Sequence, residues 1–242
     1  MHELVQLIDE SRRVVVFTGA GVSTLSGIPD FRGENGLYKQ LDGNLVFDVA
    51  MFDQDPSFFY THGRDLIYGL EGHEPSLVHT ECARLEALGK VTAVVTQNID
   101  MLHQRAGSEM VIELHGSPAM HTCRDCGRPY DYAWACQRVW KGKVPLCESC
   151  DGVVKPDITF FGEMLPDGAF EQACALAAEA DLMLVLGSSL VVHPAAGVPL
   201  VTPRCGGKLA IINKGETPLD QHAILCLDDL QEAFEAVATA FS

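Results

Sequence analysis

Basic residues are scarce in this sequence: 17 Lys and Arg stand against 33 Asp and Glu, and the formal net charge is −16. Nucleic-acid binding needs clustered Lys and Arg to neutralise phosphates, so the composition argues against a nucleic-acid partner. An acidic surface can attract basic protein segments that present lysines, although the charge can equally serve solubility alone. The sequence therefore predicts no direct binding of nucleic acid.

Long apolar runs are absent as well. No segment approaches the roughly 18 consecutive apolar residues of a membrane helix. The opening residues MHEL also lack the basic and then apolar regions of a secretory signal. We therefore predict no membrane association and a cytoplasmic location. Hydrophobic residues make up 47% of the chain and charged residues 21%, which argues against disorder and predicts a core domain with room for a smaller module.

Short, continuously apolar segments recur and are typical of parallel strands covered on both faces. They occupy residues 14–18, 91–96, 111–114, 182–186 and 209–212, with 223–227 as a further candidate. Helical patterns lie at residues 76–88 and 170–180, and residues 229–241 show helical spacing after an acidic start. The alternation predicts an α/β fold with a doubly wound, mostly parallel, Rossmann-like sheet.

Two stretches interrupt the alternation, and we expect them to form a small helical and zinc-ribbon module. Residues 31–72 are rich in aromatics, Gly and Asp, with a weakly periodic helical part, and residues 121–152 contain paired cysteines. The predicted division is a Rossmann-like domain of residues 1–30, 73–120 and 153–242, a helical insertion at 31–72 and a cysteine-containing insertion at 121–152.

Four of the nine cysteines form two pairs, Cys123-x-x-Cys126 and Cys147-x-x-Cys150, with 20 residues between them. Two such pairs allow four thiolates to surround one zinc ion. A redox pair or coincidence would be open for one CxxC alone, but two in one insertion favour zinc. Four protein ligands leave no position for water, so we predict a structural zinc. The remaining thiols are expected to be buried or idle: Cys82, Cys136, Cys174, Cys205 and Cys226.

A glycine turn, Gly19-x-Gly21, follows the first predicted strand. Without Cβ atoms its backbone N–H groups can approach a pyrophosphate, and the start of a helix favours the negative charge. The run is not a full GxGxxG, and no obvious acidic residue stands at the expected distance. From this turn alone, phosphate binding and an ordinary strand-to-helix turn are about equally supported.

Several ordered motifs make a family resemblance specific. They are GAGVS at 19–23, GIPDFR at 27–32, TQNID at 96–100, HG at 115–116, PD at 156–157, FGE at 161–163 and GSSL at 187–190. With the two CxxC pairs they follow the order and approximate spacing of the sirtuin family, which the chain resembles over residues 11–236. The resemblance is to the compact bacterial or archaeal catalytic core. It implies an NAD-dependent protein-lysine deacylase that converts acyl-lysine, NAD and water to lysine, nicotinamide and 2′-O-acyl-ADP-ribose.

The resemblance also implies roles for single residues. His115 matches the catalytic histidine, a general base for a ribose hydroxyl, and imidazole suits this with an unperturbed pKa of about 6.5. Asn98 and Asp100 match residues around the nicotinamide and complete the predicted catalytic set. Taken alone, His115 would be read as a structural histidine and Asn-x-Asp as a polar turn. His103 follows in the same loop and receives no role.

The resemblance implies that NAD occupies the Rossmann-like domain. Phe31 would shield the reacting ribose, and the guanidinium of Arg32 would bind phosphate. Residues 227–230 would lie near the adenine. The predicted NAD contacts are Gly19, Ala20, Gly21, Ser23, Thr24, Asp30, Phe31, Arg32, Gln97, Asn98, Ile99, Asp100, Gly187, Ser188, Ser189 and Asn213.

The substrate peptide is expected to pair with Thr159, Phe161 and Gly162 by β-augmentation, with residues 191–193 as the opposite wall. A plain core strand at 158–161 is the alternative. Sirtuins that prefer acidic acyl groups carry a Tyr-x-x-Arg pair, whereas here Arg64 follows Tyr60 one position too late, which favours acetyl or longer apolar acyl groups over succinyl. Mono-ADP-ribosyl transfer, NAD hydrolysis and a non-catalytic NAD-sensing scaffold remain alternatives.

Overall fold

Nine strands organise the residues that the computed structural model describes, 1–29 and 43–242. Six form a wholly parallel sheet of order β3-β2-β1-β7-β8-β9, and three form an antiparallel sheet of order β5-β4-β6. The strands are β1 (Val14–Thr18), β2 (Val91–Thr96), β3 (Val111–Glu113), β4 (Gly116–Cys123), β5 (Pro129–Asp131), β6 (Val154–Ile158), β7 (Leu182–Leu186), β8 (Lys208–Ile212) and β9 (Leu225–Leu227). The parallel order is that of the Rossmann fold, so the predicted fold class is confirmed.

Helices cover both faces of the parallel sheet and build the second module. The α-helices of the described residues are α1 (His2–Glu10), α2 (Gly21–Thr24), α3 (Gly43–Val46), α4 (Val49–Gln54), α5 (Pro56–His62), α6 (Arg64–Tyr68), α7 (Leu77–Ala87), α8 (Leu102–Ala106), α9 (Tyr132–Val139), α10 (Ala169–Glu179), α11 (Val201–Arg204) and α12 (Leu230–Ala240). Short 3₁₀ helices span Leu70–Gly72, Ala195–Leu200 and Asp220–His222. Within residues 1–29 and 43–242, no helix combines the length and apolar character needed to cross a bilayer.

The core explains why the strands read as unbroken apolar runs. Every residue of β1 and β7 is buried. Val14 and Val16 pack with α1, α7 and α12 on one face, whereas Val15 and Phe17 pack with α10 on the other. Side chains of a strand alternate between two faces, so a sheet covered twice needs apolar residues at every position.

The elements begin and end close to the predicted residues. Asp229 caps α12 by accepting a hydrogen bond from the Glu232 backbone N–H at 2.8 Å, as an acidic N-cap should. Ser76 caps α7 in a capping box that His79 completes. The sixth candidate strand is shorter than predicted and starts at Leu225. The starts of these two helices are therefore set by capping residues that are visible in the sequence.

The second module combines the antiparallel sheet with helices α3–α6 and α9. Its core is aromatic, with Phe160 at 5.4 Å from Phe52 and 5.0 Å from Phe59 between ring centroids. Strands β4 and β6 extend to both sides of the predicted insertion at 121–152. The predicted domain bounds stay a prediction, but the packing joins the two insertions into one module.

Candidate active site

A cleft of about 1470 Å³ lies along the carboxyl ends of the parallel strands. It spans the gap between β1 and β7, where the strand order reverses and α/β folds place their ligands. Of the predicted NAD contacts, the cleft is lined by Gly19, Ala20, Gly21, Thr24, Gln97, Asn98, Ile99, Gly187, Ser188, Ser189 and Asn213. Of the remaining predicted contacts, Ser23 and Asp100 are buried beneath this lining. Asp30, Phe31 and Arg32 lie outside the described residues.

The glycine turn after β1 packs directly on the end of β7. The Gly21 N–H donates to Gly187 O at 2.8 Å. A Cβ on Gly21 would stand 2.6 Å from Gly187 Cα, and one on Gly19 would stand 2.7 Å from Gly187 O. Gly187 itself has a φ of +60°, which favours glycine. These glycines let two strand ends meet at the cleft, a backbone surface suited to a pyrophosphate. Helix α2 has only four residues, so its dipole adds less than a full helix would.

A polar network beneath the cleft floor connects the residues predicted to surround the nicotinamide. Asn98 Nδ2 donates to Gly19 O at 3.0 Å and to Ser23 Oγ at 3.1 Å. Ser23 Oγ in turn donates to Asp100 Oδ2 at 2.5 Å, and Asp100 Oδ1 accepts from the Leu102 N–H at 2.9 Å. The Asn98 side-chain nitrogen, the Ser23 hydroxyl and both Asp100 carboxylate oxygens are therefore paired, which fixes the Asn98 amide at the edge of the cleft.

His115 follows β3 and faces the cleft. Its Nδ1 lies 2.8 Å from Gln97 O. A carbonyl can only accept, so Nδ1 carries the proton and Nε2 is the basic nitrogen of the neutral ring. Burial lowers the pKa of His115, against the hydrogen bond to Gln97 O, which raises it. The ring is therefore neutral at neutral pH, as a general base must be.

Gln97 links His115 to the opposite wall of the cleft. Its side chain Nε2 donates to Ser188 Oγ at 2.7 Å, while its carbonyl accepts from His115. The same residue thus orients the candidate base and bridges the ends of β2 and β7. The family resemblance predicts Gln97 as an NAD contact, and Gln97 lines the cleft.

Two buried histidines, His79 and His103, lie deeper than the cleft, and the sequence patterns assigned no role to either. His103 Nε2 is 3.0 Å from Thr18 Oγ1, which donates to Thr96 Oγ1 at 2.8 Å. The rings of His103 and His79 are 4.6 Å apart. Burial lowers the pKa of His79 to about 4 and that of His103 well below its ordinary value. Both rings therefore serve the packing behind the site as neutral groups.

The predicted peptide segment forms the wall next to His115. The Thr159 N–H donates to His115 O at 2.8 Å. The Phe161 N–H donates to Phe47 O at 2.7 Å, and Phe161 O accepts from the Val49 N–H at 3.1 Å. Phe161 therefore already uses its main chain within the protein. Gly162, which ends the segment, has a φ of +93° and also lines the cleft.

The cleft has a wall that sequence reasoning missed, formed by residues 164–168, 170 and 171. Met164 is almost fully exposed at its rim, although it is large and apolar. The signal was present as the apolar run Met164-Leu165-Pro166 between FGE and α10, with neither strand nor helix periodicity. The expected opposite wall at 191–193 and the expected adenine region near 227–230 also line the cleft, the latter through residues 228–231.

The four paired cysteines converge as a metal centre would require. Their Sγ atoms all lie within 4.8 Å of one another. Cys123 Sγ is 3.6 Å from Cys150 Sγ, and Cys126 Sγ is 3.6 Å from Cys147 Sγ. Zn–S bonds of about 2.3 Å in a tetrahedron place sulfurs about 3.8 Å apart, so the spacing fits zinc. Tyr130 Oη donates to Cys147 Sγ at 3.2 Å and chiefly through this bond lowers the pKa of that thiol to about 6, which favours the thiolate that a metal needs.

Comparison with known proteins places the chain in a family. A family model described as the Sir2 family matches residues 19–194. The chain belongs to the Sir2 family. This confirms the predicted sirtuin resemblance, since the matched residues include the glycine turn, the Asn98 loop, His115 and all four zinc-site cysteines.

Relatives in the Sir2 family extend over nearly the whole chain. An NAD-dependent protein deacetylase of Thermotoga maritima is 49% identical over 225 residues, covering 93% of this chain and 91% of the relative. An NAD-dependent protein deacylase 2 of Archaeoglobus fulgidus is 42% identical over 221 residues, covering 91% and 87%. A solved structure of Sir2Tm bound to a propionylated peptide has a TM-score of 0.91 at 45% identity, covering 100% of this chain and 99% of that one. A Sir2 structure with a p53 peptide and NAD+ has a TM-score of 0.89 at 45% identity, covering 99% and 96%.

Proposed function

We propose that this protein is an NAD-dependent protein-lysine deacylase with a structural zinc. The observation that carries the proposal is His115, a neutral imidazole whose Nδ1 is bound to Gln97 O and whose ring faces a cleft shared by the glycine turn and the 159–162 segment. A base beside a dinucleotide cleft and a peptide-sized groove fits acyl transfer from lysine to a ribose. The relatives named for deacetylation and deacylation support the same activity.

NAD would supply the reactive ribose, whose bond to nicotinamide is the one broken. The backbone of Gly19, Ala20 and Gly21 would hold the pyrophosphate, because no side chain there blocks close approach. Asn98, held by Ser23 and Gly19, would orient the nicotinamide end together with the buried charge of Asp100. Asn213 and residues 228–231 would hold the adenosine end. Asp30, Phe31 and Arg32 would form a loop that covers the cofactor, and this role rests on the sequence motif alone.

His115 would take a proton from a ribose hydroxyl through Nε2. Its Nδ1–H stays bound to Gln97 O, so the imidazolium that forms has its second proton already paired. Burial that lowers the pKa of His115 makes the ring neutral and ready before the reaction. Its role is therefore that of a general base and not of a nucleophile.

The acylated peptide would lie between Gly162 and the 191–193 wall. Phe161 uses both main-chain groups inside the protein, so of the three predicted peptide residues Gly162 offers its backbone most directly to an added strand. Exposed Met164 and half-exposed Val191 border this space with apolar surface. Acylated-lysine protein substrates fit this groove, and recognition through the main chain would tolerate many sequences.

The acyl pocket would favour apolar groups over acidic ones. Tyr60 Oη donates to Val154 O inside the second module. Arg64 lies over the Trp140 ring at 5.0 Å and pairs with Asp65 at 2.9 Å. Among the described residues, neither Tyr60 nor Arg64 lines the cleft, so these two residues do not form a pair that could bind an acidic acyl group there. Acetyl or longer apolar acyl groups are therefore the proposed substrates.

A product-resolved assay tests the proposal. The protein is incubated with NAD and a matched panel of acetyl-, longer fatty-acyl- and succinyl-lysine peptides, and mass spectrometry follows free lysine and 2′-O-acyl-ADP-ribose together. Equal amounts of both products are expected, with apolar acyl groups fastest. Nicotinamide release without deacylated peptide would instead show ADP-ribosyl transfer or NAD hydrolysis, and no NAD consumption would indicate a sensor. Cytoplasmic location and the lack of direct nucleic-acid binding stay predictions from composition.

A further inference from the structure

A buried lysine stands beneath the peptide segment. Lys155, in β6, is only 6% exposed, although lysine is almost never buried without a partner. Its Nζ donates to Ile158 O at 2.7 Å and to Pro156 O at 3.2 Å, and it forms an ion pair with Glu163 Oε2 at 2.8 Å. The ammonium also lies 4.1 Å from the centroid of the Phe160 ring. All of these partners belong to one short stretch, 156–163.

Glu163 closes this stretch into a loop. The oxygen that pairs with Lys155 also accepts a hydrogen bond from the Phe160 N–H at 2.8 Å. Its other oxygen lies 3.3 Å from Arg124 Nη1, and Arg124 Nη2 is 2.8 Å from Asp53 Oδ1 in α4. We name Lys155, Glu163 and Arg124 the ion chain. It joins the segment after β6 to the zinc site, through the residue after Cys123, and to the helical insertion.

The ion chain contacts the backbone of a wall that carries no regular secondary structure. Residues 159–162 are neither helix nor regular strand, and an isolated bridge between Phe161 and Asp48 supplies their ladder pairing. Ile158 O is held by Lys155 and the Phe160 N–H by Glu163, while the Thr159 N–H reaches His115 O. Removing Glu163 leaves the Lys155 ammonium buried without its ion pair, which costs more than the loss of a surface ion pair. Removing Lys155 takes a donor away from Ile158 O, while Glu163 keeps its contact with Arg124.

We infer that Lys155 and Glu163 are positioning residues that set the affinity for the acylated peptide by fixing the backbone of residues 158–162. The inference rests on the proposed function, because it concerns the same groove. Neither side chain is needed for the chemistry, so their loss should weaken peptide binding more than it slows the bound substrate. The NAD half of the cleft lies on the other sheet and should be unaffected.

The test is steady-state kinetics of purified, zinc-loaded protein with NAD and an acetyl-lysine peptide. Lys155→Met keeps the apolar stem and removes the charge, and we expect the KM for peptide to rise about tenfold, with kcat and the KM for NAD changed less than about twofold. Lys155→Arg retains a charged donor and should recover most of the affinity. Glu163→Gln can still accept from the Phe160 N–H but cannot pair both cations, so an intermediate rise of about threefold is expected.

Lys90→Met is the matched control. Lys90 also pairs with a carboxylate, Asp9 at 2.9 Å, but it lies just before β2, at the opposite edge of the sheet from the cleft. Its replacement should change no kinetic constant. Zinc content and thermal melting show that each variant is folded, and if Lys155→Met fails to fold, Glu163→Gln and Lys155→Arg decide the question.

Three results would overturn the inference. The first is a folded Lys155→Met or Glu163→Gln protein with an unchanged KM for peptide. The second is a parallel loss of kcat, NAD affinity and peptide affinity that Lys155→Arg does not recover, because this would show a general structural role. The third is a wild-type protein that neither binds nor converts the peptide, which removes the proposed function and this inference with it. A working wild-type enzyme with unaffected variants removes the inference alone.

Discussion

The two sheets of this protein are stabilised in different ways. In the parallel sheet, β1 and β7 are buried at every position between two helical layers. In the antiparallel sheet, β4 contains buried, half-buried and exposed residues, and the small core beside the metal site consists of Cys123, Tyr130, Cys147 and Val154. Apolar packing between two helical layers stabilises the first sheet, whereas the second combines an aromatic core with four thiols that one ion can draw together.

The candidate active site lies where the chain passes from one sheet to the other. His115 stands between β3 of the parallel sheet and β4 of the antiparallel sheet. It contacts Gln97, after β2, through its ring and Thr159, after β6, through its carbonyl. The NAD half of the cleft thus belongs to the parallel sheet, and the peptide half belongs to the module that contains the cysteine site. Disturbing either region should therefore produce a different defect.

The largest expected effect is loss of the metal. Cys147→Ser should abolish zinc binding, which in small zinc modules contributes on the order of 10 kcal/mol to folding. Amides in β4–β6 should then lose protection from hydrogen exchange, while those in β1 and β7 keep theirs, as mass spectrometry of exchanged peptides would show. Cys205→Ser removes an exposed thiol outside the cluster and should change neither. Equal loss of protection in β1 and β7 would contradict the proposed independence of the two regions.

Removal of the candidate base comes next. His115→Ala should lower kcat by about 10²–10⁴-fold, with zinc content and thermal stability retained, because the ring makes a single hydrogen bond to Gln97 O. His222→Ala, in an exposed 3₁₀ turn, is the control and should leave kcat unchanged. In the wild type, kcat/KM should fall only as pH drops below about 6.5, since burial lowers the pKa of His115. Near-normal turnover by His115→Ala would refute its role.

A smaller effect is expected on the pH dependence of stability, for which each region contains one buried histidine to compare. Burial lowers the pKa of both His79 in α7 and His121 in β4 to about 4. Between about pH 6.5 and 4 the unfolded chain binds these protons and the folded protein does not, so stability is full above pH 6.5 and falls as the pH decreases. Each ring should contribute roughly 1.4 kcal/mol per pH unit to this slope.

Urea unfolding at pH 6.5, 5.5 and 4.5 measures that slope. His79→Gln and His121→Gln should each make the free energy of unfolding less dependent on pH, whatever they do to its absolute value. Substituting exposed His2 in α1 provides the comparison and should leave the slope as in the wild type. If neither buried substitution reduces the slope, the histidines are not responsible for the acid sensitivity.

The parallel sheet could be predicted from the sequence more completely than the antiparallel sheet. Strands β1 and β7 of the parallel sheet are continuous apolar runs, so their bounds and the fold class followed from burial alone. Strand β4 gave no such signal, because it contains Gly116, Pro118 and the buried His121, whose Nε2 lies 2.9 Å from Tyr68 Oη. A polar residue that is buried through a distant partner has no local pattern by which to recognise it.

The site divides in the same way. The ordered sequence motifs identified His115, the Asn98 loop and the glycine turn as site residues, and the structure brings all of them to one cleft. The pairing of Glu163, after β6, with Arg124, after β4, depends on how β4 and β6 meet. Such contacts across strands follow from register, which neither periodicity nor spacing predicts.

The smallest expected effect concerns acyl choice in the second module. Arg64 stacks on Trp140 at 5.0 Å and pairs with Asp65, so it is occupied at the module surface and does not face the groove. Arg64→Ala should therefore leave the ratio of acetyl- to succinyl-lysine turnover within about twofold and change stability by about 0.5 kcal/mol or less. Parallel kcat/KM measurements on the two peptides check this. A selective change in succinyl turnover would show that Arg64 reaches the acyl group after all, and that the second module shapes the chemistry as well as the binding.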